Sequence, residues 1–123
     1  MNAIAALKDE RFSASATQDG SEIMVRLEGD ADTNVKRQLE PFLQAVHGAA
    51  VSNPGASVVV DLKLLKFMNS SCFQDFVMWL GLVREGRAAE QYQIAFVSNA
   101  DHHWQRRSLR ALSNFAPDQV IIK

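Results

Sequence analysis

The sequence predicts an α/β domain: a mostly parallel sheet of four to five strands, opened by an antiparallel hairpin and accompanied by three main helices. Three observations lead there. Two alternating runs, 12–17 and 23–28, flank the turn pair Asp19-Gly20 as the arms of a hairpin do. Two further runs, 57–62 and 92–97, are rich in apolar and β-branched residues with little alternation, the pattern of strands buried on both faces. After the hairpin and after each of these runs, apolar residues recur at helical spacing. The order is β-β-α-β-α-β-α-β, which right-handed crossovers turn into a parallel sheet behind the hairpin.

Each element has its own justification. Residues 1–11 precede the pattern as an N-terminal extension, leaving 12–123 as a single domain. In the hairpin, Phe12, Ala14 and Ala16 alternate with Ser13, Ser15 and Thr17, and Ile23, Val25 and Leu27 with Met24, Arg26 and Glu28. Gly29 to Thr33 break the alternation, and Asp32 or Thr33 can cap a helix whose inner face is Val35, Leu39, Phe42, Val46 and Ala49. Pro41 lacks an amide, so a kink or a helix start near it is expected. Ser52-Asn53-Pro54-Gly55 is a loop, 57–62 is the sheet centre, and 63–68 is a short connection. Phe73, Phe76, Val77, Leu80 and Val83 mark the second helix, ended by Gly86. Asp101 can cap a third helix through about Ser113, and 119–122 is a last short strand.

Composition narrows the function classes. A chain of 123 residues with 47% hydrophobic and 22% charged residues suits one globular domain able to bury a core without disulfides or metals. The single cysteine cannot form an internal bridge, and the start has neither a basic n-region nor a cleavage site, so a cytoplasmic protein is expected. With 13 basic and 14 acidic residues, nothing favours nucleic acid, and no apolar run is long enough for a membrane span. The charge is unevenly placed: residues 1–62 carry five bases and nine acids, 63–123 eight bases and five acids. Arg106, Arg107 and Arg110 lie close together, as a solvated helix face or a surface for an acidic protein.

Chemistry concentrates at Asn69-Ser70-Ser71-Cys72, small polar residues where a strand passes into a helix. Ligands and partners meet parallel α/β sheets at such junctions, and the dipole of the helix favours an anion there, including a phosphate on Ser70 or Ser71. Capping alone explains the same residues. Taking Phe73 as the centre of the buried stripe places Met78, Leu82 and Asp75 on the opposite side, with Trp79 and Cys72 on a flank. A neighbouring helix or a protein partner would have to cover such a face. Cys72 reads as a small packed residue, and His102-His103 lacks the spacing of a metal site. No Gly-x-Ser-x-Gly elbow or assignable base supports a hydrolase at Ser71, and no glycine-rich phosphate loop supports a small-molecule or nucleotide binder, the weakest alternative.

The run from Val58 through Asp61-Leu62 to Asn69-Ser70-Ser71-Cys72 resembles the signature of the STAS family, the fold of bacterial anti-sigma factor antagonists, in which Asp-Ser-Ser-Gly follows an apolar strand ending in Asp-Leu. Leu27-Glu28-Gly29-Asp30-Ala31-Asp32 is similar to its Leu-x-Gly-x-x-Asp, and 92–97 with the following helix resembles its third unit. The similarity spans about 12–122. It implies a non-enzymatic signalling protein without cofactor or metal, acting in transcription regulation by partner switching. Ser71 would be phosphorylated, Ser70 being second choice, by an anti-sigma factor that is also a serine kinase of the histidine-kinase-like ATPase type, or by a related switch protein. Phosphorylation would break binding. The implied partner surface is Asp32, Thr33, Asn69, Ser70, Ser71, Cys72, Asp75, Met78, Trp79 and Leu82, with a homodimer left open. Two departures bear on mechanism: Asn69 stands where the family has Asp, and Cys72 where it has Gly. Loss of the carboxylate leaves room for a scaffold that has given up phosphoregulation, with Asp75 as a partial stand-in. The chain also lacks the last helix of the family, so another body could cover that face of the sheet.

Overall fold

The computed structural model describes residues 4–123. The predicted hairpin is present: β2 (Phe12–Asp19) pairs antiparallel with β3 (Glu22–Ala31) in the register Ser13↔Glu28 to Asp19↔Glu22. The N-terminal extension adds β1 (Leu7–Lys8), which pairs with Ser13 and Ala14 of β2. Beyond β3 the elements are α1 (Lys36–Val51), β4 (Ser57–Met68), α2 (Ser70–Glu85), β5 (Ile94–Val97), α3 (His103–Phe115) and β6 (Val120–Ile122). The six strands lie in sequence order, and β3 through β6 are parallel.

That order decides where the core sits. Each crossover moves one strand further in the same direction, and right-handed connections then place α1, α2 and α3 on the same face. Accordingly Ile23, Val25 and Leu27 of β3 and Val58, Val60 and Leu62 of β4 are buried, whereas Arg26 is exposed and Val59 and Asp61 are half-buried. The expectation that β4 is buried on both faces is corrected, because helices cover only one side. Arg26 and Lys63 pair with Asp61 on the other. Under the helices, Phe76 meets Phe96 edge-on at 5.6 Å, and Trp79 is fully buried.

Local chemistry explains the other differences. β4 continues through residues expected to be a connection, because β3 runs on to Ala31 and pairs Asp30 with Phe67 and Ala31 with Met68. Two register shifts on the way leave Leu64 and Phe67 exposed while Leu65 stays buried. Neither Asp32 nor Thr33 caps α1, which starts after Val35 with no side-chain cap and passes through Pro41 instead of starting there. Asp32 accepts the amide of Asn34 in the preceding turn. Asp101 likewise lies before α3, whose N-cap is His102. Gly86 ends α2 as expected, its amide bonded to Val83. Gly29 has φ +93°, and a Cβ there would fall 2.0 Å from the Arg11 carbonyl oxygen, which accepts the Asp30 amide.

Candidate functional site

The site is the point where β4 becomes α2. Asn69 is extended, at φ −65° and ψ 148°, which aims its side chain back over the first helical turn. Its Oδ1 accepts the Ser71 amide at 2.8 Å and the Ser71 hydroxyl at 2.6 Å. A neutral amide thus performs the capping that a carboxylate would, and Asn is among the best caps. The Asn69 amide donates to Ala31 at 2.7 Å, and the Cys72 thiol to the Asp32 carbonyl at 3.1 Å. These two bonds seat the loop after β3 against the start of α2, so Asp32, Asn69, Ser71 and Cys72 lie together, with Ser70 and Thr33 exposed.

Cys72 is packed in the core. Burial pushes its thiol up to about 11, aided by the negative charge of Asp75 and only partly opposed by the Lys36 ammonium. The Cys72 side chain is accommodated in the core, where the residue is fully buried.

Three residues of the expected partner surface, Cys72, Asp75 and Trp79, are corrected, because all three are buried. The buried stripe of α2 is Cys72, Asp75, Phe76, Trp79, Leu80 and Val83, so its centre lies about a quarter turn from Phe73, itself only half-buried. Trp79 therefore points inward, which its indole tolerates because Nε1 donates to the Tyr92 hydroxyl at 2.8 Å. Asp75 also points inward, where Lys36 of α1 meets its Oδ1 at 2.8 Å. Its Oδ2 is buried without a hydrogen-bond partner. Burial raises the Asp75 carboxyl above its ordinary range, since the Lys36 ammonium offsets only part of the lost hydration; the same bond raises Lys36. Asp75 is thus tied to Lys36, which leaves it no role as a stand-in carboxylate for Ser71.

Met78 and Leu82 remain at the surface, both half-buried. Ser71, Gln74, Met78 and Glu85 follow one another at spacings of three, four and seven, forming an outward strip that begins at the serine. Sequence reasoning missed Leu64 and Phe67, which are 57% and 48% exposed on the last part of β4. The backbone around them is held by α3 and the loop before it: Gln105 Nε2 donates to the carbonyls of Leu62 and Leu65, Trp104 Nε1 to that of Lys66, and Asn99 Nδ2 to that of Lys63. The available signal was three apolar residues in 64–67, more than an ordinary connection needs. Ser71 is half-buried at the start of α2, with Met78 two turns further along the same outward strip.

No helix among the described residues is long and apolar enough to cross a membrane. No family model matches the chain, and no curated protein sequence matches it. Solved structures do. An anti-sigma factor antagonist from Mycobacterium paratuberculosis superposes with a TM-score of 0.64 at 16% identity, over 89% of this chain and 85% of its own. An uncharacterized protein with a SpoIIAA-like fold from Shewanella loihica gives 0.58 at 15% identity, over 100% of this chain and 90% of its own. The anti-sigma factor antagonist SpoIIAA, in its unphosphorylated form, gives 0.57 at 18% identity, over 89% and 87%. The strand order, the hairpin opening and these superpositions agree: the chain has the SpoIIAA-like, STAS-type fold of anti-sigma factor antagonists.

Proposed function

We propose that this chain is a regulatory protein-binding module of the anti-sigma factor antagonist type, which docks a partner through the start of α2 and is switched by phosphorylation of Ser71. The observation that carries the reading is the position of Ser71: a half-exposed hydroxyl in the first turn of α2, on a strip continuing to Met78, close in sequence to the exposed Phe67. A partner seated there buries the Met78 side of α2. A phosphate on Ser71 adds about −1.5 to −2 charges in the middle of that contact and would have to be desolvated for the partner to stay bound. The fitting partner is an anti-sigma factor with serine kinase activity of the histidine-kinase-like ATPase type, or a related switch protein. Ser70 is the second acceptor, being exposed one residue earlier. The activity is binding, in a cytoplasmic signalling setting.

A second reading, a scaffold without phosphoregulation, is favoured by one observation. The acceptor of the Ser71 hydroxyl is the neutral Asn69 amide, which cannot take up the proton as a carboxylate could. Mass spectrometry of the protein isolated from its own cells separates the two. Phosphate on Ser71 supports the switch. Its absence under all growth conditions, with Ser71→Ala and Ser71→Asp both fully functional, rejects it in favour of the scaffold.

A further inference from the structure

We infer that Lys36 is the receptor for a phosphate on Ser71, leaving its buried partner Asp75 to bind it. The inference rests on the proposed phosphorylation of Ser71 and adds the group that recognises it.

Asp75 follows Ser71 by four residues on α2, so the two are neighbours one turn apart, Asp75 on the buried side of Ser71, with Cβ atoms about 5–6 Å apart. Lys36, the first residue of α1, reaches across to Asp75 with Nζ 2.8 Å from Oδ1. Held one helical turn from Ser71, the ammonium is the group that would meet a phosphate carried there. The Lys36 side chain is 40% exposed whereas that of Asp75 is 2% exposed, so the lysine sits at the mouth of the helix pair and can turn outward while the acid cannot.

The present pair is poorly matched. Asp75 has one oxygen bonded and the other buried with no partner, so part of its charge is uncompensated. The charged or titratable groups around Lys36 are Asp75 and Cys72 of α2, Glu40 of α1, and Asp32 of the loop ahead of α1, which acts on Cys72. Lys36 is the one cation among them. A phosphate offers it more charge and three acceptor oxygens in a wetter position.

The step balances as an ordinary phosphoryl transfer. A nucleoside triphosphate on the partner kinase supplies the phosphoryl group, the Oγ–P bond forms as the β–γ bridge breaks, and the hydroxyl proton passes to a base of the kinase. Lys36 then pairs with the phosphate, and Asp75, left buried without its cation, takes one proton from solvent.

Phosphoserine installed at position 71 during translation allows a test that needs no kinase. Phosphorus NMR titration of that protein is compared with the same protein carrying Lys36→Met. The second phosphate pKa, ordinarily about 6, is expected to lie lower by roughly 0.5–1 unit when Lys36 is present. Identical titration of the two proteins overturns the inference. Should Lys36→Met not fold because Asp75 is left unpaired, the comparison moves to Asp75→Asn against Asp75→Asn/Lys36→Met, where the same shift or its absence decides. Failure of the phosphoswitch itself shows up separately, as a Ser71 never phosphorylated in cells.

Discussion

Asn69 Oδ1 receives two hydrogen bonds from Ser71, one from its amide at 2.8 Å and one from its hydroxyl at 2.6 Å. The same oxygen both caps α2 and restrains the side chain proposed to be modified. Asn69→Ala removes both bonds and is expected to lower unfolding stability by about 1 kcal/mol, the usual cost of a lost cap. Asn69→Asp keeps the cap and should cost little. Urea denaturation of the two variants checks this; equal losses would show that the amide group, not the shared oxygen, matters.

Gly29 fixes how the chain enters the site, because its φ of +93° lets the Arg11 carbonyl approach β3 where a Cβ would stand 2.0 Å away. Gly29→Ala therefore combines backbone strain with a backbone clash, and a loss of at least about 3 kcal/mol is expected. Gly20 also has a positive φ, +62°, but open space around it, so Gly20→Ala should cost only about 1 kcal/mol. Denaturant midpoints measure the contrast.

A buried chain of hydrogen bonds gives a pH dependence of known sign. Trp79 Nε1 donates to the Tyr92 hydroxyl, which is 2.8 Å from His47 Nδ1 and can donate to that nitrogen when it carries no proton. Burial lowers the His47 pKa from its ordinary 6.5. The unfolded chain then binds the proton first as pH falls, so stability declines from pH 6.5 down to the lowered folded value and levels off below it. Urea titrations at pH 7.5 and pH 5 should show a smaller pH-linked loss in His47→Gln than in the native chain. Tyr92→Phe leaves the buried Trp79 N–H unpaired and is expected to cost about 1–3 kcal/mol.

The docking surface and the core of α2 respond differently to substitution. Phe67→Asp, Met78→Asp and Leu82→Asp each place a charge at an exposed or half-exposed position and should abolish partner binding with the melting temperature nearly unchanged. Trp79→Ala removes a fully buried side chain and is expected to cost about 3–5 kcal/mol. Thermal melts beside binding titrations separate the two. A large drop in melting temperature for Met78→Asp would move that residue into the core.

How much of this was legible in the sequence depended on which interactions are local. The hairpin followed from alternation about Asp19-Gly20, and the Ser-Ser junction from small polar residues before an apolar helix, both short-range signals. The face of α2 was misjudged because inward Asp75 and Trp79 are tolerated only through Lys36 and Tyr92, partners 39 and 13 residues away. The continuation of β4 was missed for the same kind of reason: residues 63–68 become strand because β3 offers pairing groups as far as Ala31. The absent cap on α1 has a different origin, since the Asp32 side chain closes its own turn onto Asn34.

The most direct test of the central claim, that a partner docks at the start of α2 and is released by phosphate on Ser71, is a binding isotherm for one purified partner. The partner is a kinase-type switch protein captured from native cells by the unmodified chain and lost with Met78→Asp. Its dissociation constant is measured against the unmodified chain and against the chain carrying phosphoserine at position 71. The account predicts at least about 100-fold weaker binding to the phosphorylated form, close to 3 kcal/mol. Equal affinity for the two forms would contradict it.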